Sequence, residues 1–223
     1  QAAKNLDYRR LHEISKEFPE NQLEQSHMIS FSYAATQLKQ HQDAIDWAQQ
    51  AVNHRINDLA VNRYIAAWIY DSKFHEAIQC FESYQNRVPL QDLDNFAKAN
   101  LLVAARQMNN QHLLDTILEA VSDCDSTSQG AGLLYFNAAC VTSLRHKLDD
   151  AFKFLVAARF NNFSIDSINT DPDLALLRER PEFSALQNWK HLGNDFYSSY
   201  DNGKELWYFR DDLFEIDFAE QTC

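Results

Sequence analysis

The sequence predicts an all-α fold, an α-solenoid of stacked helix–turn–helix repeats, followed by a short C-terminal extension. Glycine and proline are scarce, because the 223 residues contain four of each, whereas average usage gives roughly 16 and 11. All-β folds use both residues in their turns, and doubly wound folds need glycines in phosphate-binding loops. Apolar stripes with helical spacing also recur at intervals of about 34 residues, which is typical of a helical repeat.

Four amphipathic helices form the second half of each expected repeat. Their apolar stripes begin at Ala44, Ala77, Leu113 and Ala151, at spacings of 33, 36 and 38 residues. Within each stripe, apolar or small residues recur at positions that share one face of a helix. The stripe at Leu113 follows this pattern least closely.

An apolar helix precedes each stripe, and a short polar turn joins the two helices of a pair. The expected first helices span residues 26–38, 59–71, 94–107 and 133–145. The expected turns are Lys39–Gln42, Ser72–Phe74, Asn109–Gln111 and Arg145–Lys147. A leading helix at residues 3–17 comes before these pairs. It ends near Pro19, and the second repeat ends near Pro89, because proline cannot continue a helix.

The second repeat carries the residues of a known repeat pattern. The matching residues are Trp68, Phe74, Ala77, Phe81 and Pro89. The chain therefore resembles the tetratricopeptide repeat family. The small residue that this family places in its first helix is present as Ser32 and Ala139, whereas the second repeat has Ile65 there.

The segment Asn169–Phe183 is similar to the terminal segment of many bacterial tetratricopeptide arrays, DPDLxxLRxxPxF. The residues expected to cover the end of the solenoid are Leu174, Leu177, Phe183 and Leu186. The resemblance covers residues 1–188 and predicts one solenoid domain. Residues 189–223 form a separate extension.

The extension is acidic and rich in aromatic residues. It contains nine of the 28 aromatic side chains, eight acidic residues and three basic residues. The Asn202-Gly203 pair between aromatic flanks predicts a β-hairpin, preceded by a helix at residues 182–195. The aromatic side chains are expected to pack, with Trp207 or its neighbours on the terminal helices. The alternatives are packing in the chain's own groove or against a second copy, which makes a homodimer through residues 189–223.

Composition and motifs exclude several classes of function. A net charge of −12 disfavours nucleic acid as a partner. The longest apolar run, Ala131–Val141, is too short for a membrane span. The sequence contains no Gly-rich phosphate loop, no Gly-x-Ser-x-Gly and no Cys-x-x-Cys motif. We therefore predict a protein that is not an enzyme, with no catalytic residues and no cofactor.

Metal sites are not predicted either. His12-Glu13 and His75-Glu76 lack the second histidine of a zinc-protease helix. Asp123–Thr127 begins like a calcium loop, but Leu134 stands where a bidentate glutamate is needed. The four cysteines have no metal or redox spacing, which predicts free thiols in the cytoplasm. A periplasmic location is the alternative if the chain comes from a longer membrane-anchored protein.

The family resemblance implies a binding groove lined by the first helices. Its expected lining residues are Tyr33, Gln37, Asn62, Tyr70, Lys98, Arg106 and Phe136. The family's carboxylate clamp is absent, because its positions hold Ile29, Tyr33, Ala66, Asn95 and Ala99. The sequence thus predicts a non-catalytic scaffold or adaptor that binds a protein or peptide. The alternatives are a regulatory or sensory module of a larger bacterial signalling protein, and self-association through the extension.

Overall fold

The structure is a computed structural model that describes residues 2–18, 23–122, 128–180, 183, 186, 190–193, 196–201, 204–209 and 212–217. The chain divides into two compact units, Gln1–Asp123 and Cys124–Cys223. From Ala2 to Arg178 the described regular structure is helical, as the composition predicts. None of the described helices combines the length and the apolar content that crossing a membrane requires.

The first unit contains a leading helix, α1 (Ala2–Glu17), and three helical pairs. The pairs are α2 (Gln25–Gln37) with α3 (His41–His54), α4 (Asp58–Tyr70) with α5 (Phe74–Tyr84), and α6 (Asn95–Gln107) with α7 (Gln111–Ser122). A short 3-10 helix at Leu90–Asp92 precedes α6. Each α-helix packs against the next one along the chain, and α4 also packs against both α2 and α6.

The turns inside the helical pairs share one backbone geometry. A residue with φ between 52° and 60° follows the first helix of each pair, and these residues are Lys39, Ser72, Asn109 and His146. Its N–H donates to the carbonyl three positions earlier, and the next N–H donates to the carbonyl five positions earlier. This is the Schellman ending of a helix. The backbone therefore repeats at intervals of 33, 37 and 37 residues.

Alanine occupies close helix contacts in the first unit. Ala44 and Ala77, which begin two of the predicted stripes, are 1% and 0% exposed. The rings of Phe31 on α2 and Trp47 on α3 meet edge to face with centroids 5.2 Å apart. A larger side chain at either alanine therefore has no room without displacing a neighbouring helix.

The second unit begins with the helical pair α8 (Ala131–Leu144) and α9 (Leu148–Phe160). The two helices approach closely at Gly132, where a Cβ atom would lie 3.0 Å from the carbonyl oxygen of Asn161. The pair is followed by α10 (Ile165–Thr170), a 3-10 helix at Pro172–Leu174, and α11 (Ala175–Arg178). The four apolar residues of the terminal segment are buried: Leu174, Leu177, Phe183 and Leu186.

The extension contains an antiparallel sheet with four described strands. They are β1 (Lys190–Gly193), β2 (Phe196–Asp201), β3 (Lys204–Phe209) and β4 (Asp212–Asp217), paired in chain order. The predicted helix at 182–195 is wrong from Lys190 onward, because β1 pairs with β2 there. Strand pairing is a long-range interaction that outweighs the helical pattern of such a short segment.

The β2–β3 pairing places Asp201 opposite Lys204, on either side of the Asn-Gly pair. Residues 202–203 themselves lie outside the described residues, as do Pro19 and the Asp123–Thr127 segment. The side chain of Trp207 also lies outside them, so its packing on the terminal helices stays a prediction.

Candidate functional site

Six of the seven predicted groove residues lie on neighbouring first helices of the first unit. They are Tyr33 and Gln37 on α2, Asn62 and Tyr70 on α4, and Lys98 and Arg106 on α6. Tyr33 and Tyr70 are 45% and 55% exposed, and Gln37 and Arg106 are also exposed. The structure therefore places two aromatic rings at the surface of packed helices, where a partner can contact them.

Asn62 lies in α4 and is buried, with an exposed fraction of 7%. Neither its Oδ1 nor its Nδ2 has a hydrogen-bond partner in the structure. A buried polar group without a partner costs about 1–3 kcal/mol. Most buried polar groups in folded proteins are hydrogen-bonded, so such an exception needs an explanation.

Arg63, which follows Asn62 in α4, is a candidate functional residue that the sequence did not predict. It is 9% exposed, and its Nε donates to the Oγ of Ser32 on α2 at 2.9 Å. Its Nη2 donates to the Oγ1 of Thr36. The guanidinium carbon lies 5.6 Å from the centroid of the Tyr33 ring. We call Tyr33, Arg63 and Tyr70 together the Arg63 face.

The hydroxyl groups of Ser32 and Thr36 are each oriented by a second hydrogen bond, in which they are the donors. Ser32 Oγ donates to the carbonyl oxygen of Ala44 on α3 at 2.7 Å, and Thr36 Oγ1 donates to the carbonyl oxygen of Ser32 at 3.0 Å. A hydroxyl has a single proton and two lone pairs. With their protons engaged, both oxygens present lone pairs to the guanidinium.

No carboxylate pairs with Arg63 within the described part of the chain. The N–H groups that are not directed at Ser32 and Thr36 have no acceptor among the same residues. Burial lowers the pKa of Arg63 to about 10, and nearby Tyr70 and Tyr33 oppose that shift. At neutral pH the side chain is still protonated, so the fold holds a buried cation whose neighbours are neutral hydroxyl and aromatic groups.

Lys98 is also buried, with an exposed fraction of 9%. Its Nζ donates to the carbonyl oxygen of Gln91 at 3.2 Å, in the 3-10 helix that precedes α6. This hydrogen bond holds the ammonium group at the N-terminal end of α6. Lys98 therefore contributes positive charge to the first helices from a fixed position.

Charge is segregated between the two sets of helices in the first unit. The first helices of the pairs, α2, α4 and α6, carry Arg63, Lys98 and Arg106 against the single acidic residue Asp58. The second helices, α3, α5 and α7, carry no lysine or arginine. They carry six carboxylates: Asp43, Asp46, Glu76, Glu82, Asp115 and Glu119. An approaching anion is therefore attracted to the first helices and repelled by the second.

The leading helix borders the Arg63 face. Tyr8 of α1 meets Tyr33 edge to face, with ring centroids 5.7 Å apart. A side-chain hydrogen bond to Tyr33 is the largest cause of the raised pKa of Tyr8. The ring of Tyr33 is thus held between Tyr8 and the guanidinium of Arg63, while nearly half of its surface stays exposed.

Phe136, the seventh predicted groove residue, belongs to the second unit. It is 8% exposed, and its ring stacks on Phe163 with centroids 4.3 Å apart. Its role there is packing between α8 and the segment that follows α9. The other six predicted groove residues belong to the first unit.

The second unit also contains a thiol and two carboxylates in proximity. Ligand atoms of Cys140, Asp171 and Asp173 lie within 4.8 Å of one another. Asp171 Oδ1 accepts the N–H of Asp173 at 2.9 Å, and it caps the 3-10 helix that begins at Pro172. Helix capping accounts for the position of Asp171, and we assign no metal to this cluster.

No family model, curated protein or solved structure matches the chain. The tetratricopeptide resemblance therefore depends on the residues quoted for it, and the role of each groove residue stays a prediction. Function must be inferred from the geometry of the first unit, where the guanidinium of Arg63 lies near the exposed rings of Tyr33 and Tyr70 and pairs with no carboxylate of the described residues.

Proposed function

We propose that the chain is a tetratricopeptide-like helical-repeat protein that binds an extended peptide segment of a partner protein at the Arg63 face. No chemical step belongs to this function. The observation that carries the proposal is the pair of exposed rings, Tyr33 and Tyr70, which lie on neighbouring packed helices near the guanidinium of Arg63. Aromatic rings that packed helices hold at the surface offer a bound peptide a large contact area.

The neighbouring side chains suit this role. Tyr33 and Tyr70 are aromatic, exposed and held on helices, and aromatic residues and arginine are enriched among those that dominate binding energy. Because the helices are packed before the ligand arrives, little ordering cost falls on this side of the complex.

The repeated Schellman turns support the solenoid that this proposal assumes. Four turns with the same two backbone hydrogen bonds recur at intervals of 33, 37 and 37 residues. Tetratricopeptide arrays line a concave groove with their first helices, and α2, α4 and α6 are the first helices of the pairs here. We infer that the Arg63 face is part of such a groove.

Selection from a random peptide library displayed on phage, against the full chain, tests the proposed function. Selected sequences are synthesised and titrated by fluorescence anisotropy. Tyr70→Ala removes an exposed ring from the face, and we expect it to weaken the selected peptides by about tenfold. Leu176→Ala is the control, because Leu176 is also exposed but lies in the second unit. Failure to select any sequence, or equal loss in both variants, contradicts the proposal.

Self-association through residues 189–223 is the second candidate function. The sheet order makes β1 and β4 edge strands among the described strands, and an edge strand is a template for pairing with another chain. Light scattering of the intact chain and of a chain truncated after residue 188 tests it. A dimer that becomes a stable monomer on truncation supports self-association, and a monomer in both cases contradicts it.

A further inference from the structure

The buried charge of Arg63 defines what kind of peptide this face accepts. The guanidinium is fixed by Ser32 and Thr36 on one side and has no carboxylate partner in the described structure. Burying a charge is costly unless it is paired. A guanidinium with free N–H groups pairs best with a carboxylate, because the planar fork donates two parallel hydrogen bonds to the two oxygens.

The charge distribution favours the same ligand. The first helices carry three lysine or arginine residues and one carboxylate. The second helices carry six carboxylates and neither lysine nor arginine. An acidic segment is therefore attracted to the first helices and repelled by the second helices. A basic or neutral segment gains no such orientation.

We infer that the partner segment is acidic and that an aspartate or glutamate side chain within it binds Arg63. This inference rests on the proposed function, since it names the chemistry of the peptide bound at that face. A carboxylate on an internal side chain fits better than the carboxylate of a chain end. The exposed ring of Tyr33 on α2 lies near Arg63, and the exposed ring of Tyr70 lies further along α4. A chain that continues on both sides of the carboxylate contacts both rings.

A purely structural role for Arg63 is the competing account. In that account Arg63 links α4 to α2, and its replacement changes stability without changing which peptides bind. The two accounts therefore differ in the sequences that each variant selects, and stability alone does not separate them.

The test repeats the library selection with three substitutions in the full chain. Arg63→Gln removes the charge, Arg63→Lys keeps the charge but not the planar fork, and Arg87→Gln is the control at an exposed arginine outside the face. Thermal unfolding confirms that each variant is folded before selection.

The inference predicts aspartate and glutamate at a fixed position of the peptides selected by the unmodified chain. Replacing that residue by its amide weakens binding to the unmodified chain by about tenfold to a hundredfold, but has little effect on Arg63→Gln. Arg63→Lys retains part of the preference, and Arg87→Gln retains all of it. Amidating the C-terminus of the peptide leaves its affinity unchanged.

Three results overturn the inference while the proposed function stands. The first is selection of peptides that need Tyr70 but show no acidic position. The second is an unchanged acidic preference in Arg63→Gln. The third is a preference that disappears on C-terminal amidation, which assigns the carboxylate to the chain end. If the unmodified chain selects no peptide at all, the proposed function and this inference both fail.

Discussion

Arg63 Nε donates to Ser32 Oγ at 2.9 Å across 31 residues of sequence. The bond joins α4 to α2, and Ser32 in turn donates to the carbonyl oxygen of Ala44 on α3. Three helices are thus connected through one fully buried hydroxyl. The same connection holds the guanidinium in place for a ligand, so packing and the proposed binding share these residues.

Ser32→Ala should lower the free energy of unfolding by about 1–3 kcal/mol, because it leaves Arg63 without one acceptor and the Ala44 carbonyl without its donor. Urea denaturation measures the change. The loss should shrink when Ser32→Ala is made in an Arg63→Gln background, since the shared hydrogen bond is already gone. Ser30→Ala, at an exposed hydroxyl one position from the buried face of α2, is the control. Strictly additive effects of Ser32→Ala and Arg63→Gln contradict the coupling.

Asn62→Leu should raise the free energy of unfolding, by about 1–3 kcal/mol, because it removes a buried amide that has no partner. Asn53→Leu at an exposed position of α3 should change stability by less than about 0.5 kcal/mol. A destabilised Asn62→Leu in urea denaturation would show that the amide is satisfied in solution.

Ala77→Leu should lower the free energy of unfolding by about 1–3 kcal/mol, because Ala77 is fully buried and its neighbours leave no space for three more carbon atoms. Gln79→Leu on the exposed side of the same helix is the matched control and should have little effect. An unchanged urea midpoint in Ala77→Leu is incompatible with the helix contacts described here.

Ser72→Gly should raise the unfolding free energy by about 1 kcal/mol. Ser72 has φ 59°, and glycine adopts this left-handed conformation without steric cost. Ser83→Gly within α5 is the control, because glycine there lowers stability by about 0.5–1 kcal/mol. Thermal or urea unfolding of the two variants gives the comparison, and a loss of stability in both variants rules out the left-handed turn.

Stability should fall as the pH drops below about 6.5. His12 is buried, and burial is the largest cause that lowers its pKa below the ordinary value of 6.5, with Lys16 lowering it further and Asp43 and Glu13 opposing. The unfolded chain therefore takes up a proton at a higher pH than the folded chain, so protonation favours unfolding. His12→Gln should reduce this pH dependence in urea denaturation, whereas His54→Gln at an exposed position should not. An unaltered slope in His12→Gln contradicts the burial of a neutral imidazole.

The helices could be predicted from the sequence because their signals are local. Ala44 and Ala77 begin stripes with helical spacing, and both are buried in the structure. The scarcity of glycine likewise predicted helices. Glycine usually marks left-handed turn positions, so its scarcity gave no indication of the turns that are present. Ser72 and His146 adopt positive φ without being glycine, so no residue type marked these positions.

The candidate site was only partly predictable. Tyr33, Asn62 and Tyr70 follow from the face that a first helix presents to a groove, and two of these three are exposed. Arg63 was not predicted as a site residue, because its partners Ser32 and Thr36 lie far away in sequence. The available signal was the presence of a single arginine in a largely apolar helix, which has to find acceptors or a ligand when buried. In the sheet, the Asn-Gly pair predicted a hairpin, and β2 pairs with β3 on either side of it. Strands β1 and β4 were not predicted, because their pairing depends on separate segments.

The central claim is that a peptide binds at the Arg63 face, and the Nε–H resonance of Arg63 tests it most directly. This N–H is buried and hydrogen-bonded to Ser32, so its exchange with solvent is slow, and its absence from the spectrum of Arg63→Gln assigns it. Titration with a selected acidic peptide should shift this resonance together with backbone amides of α2, α4 and α6. A peptide that binds without shifting it, and instead shifts amides of α3, α5 and α7, contradicts the account.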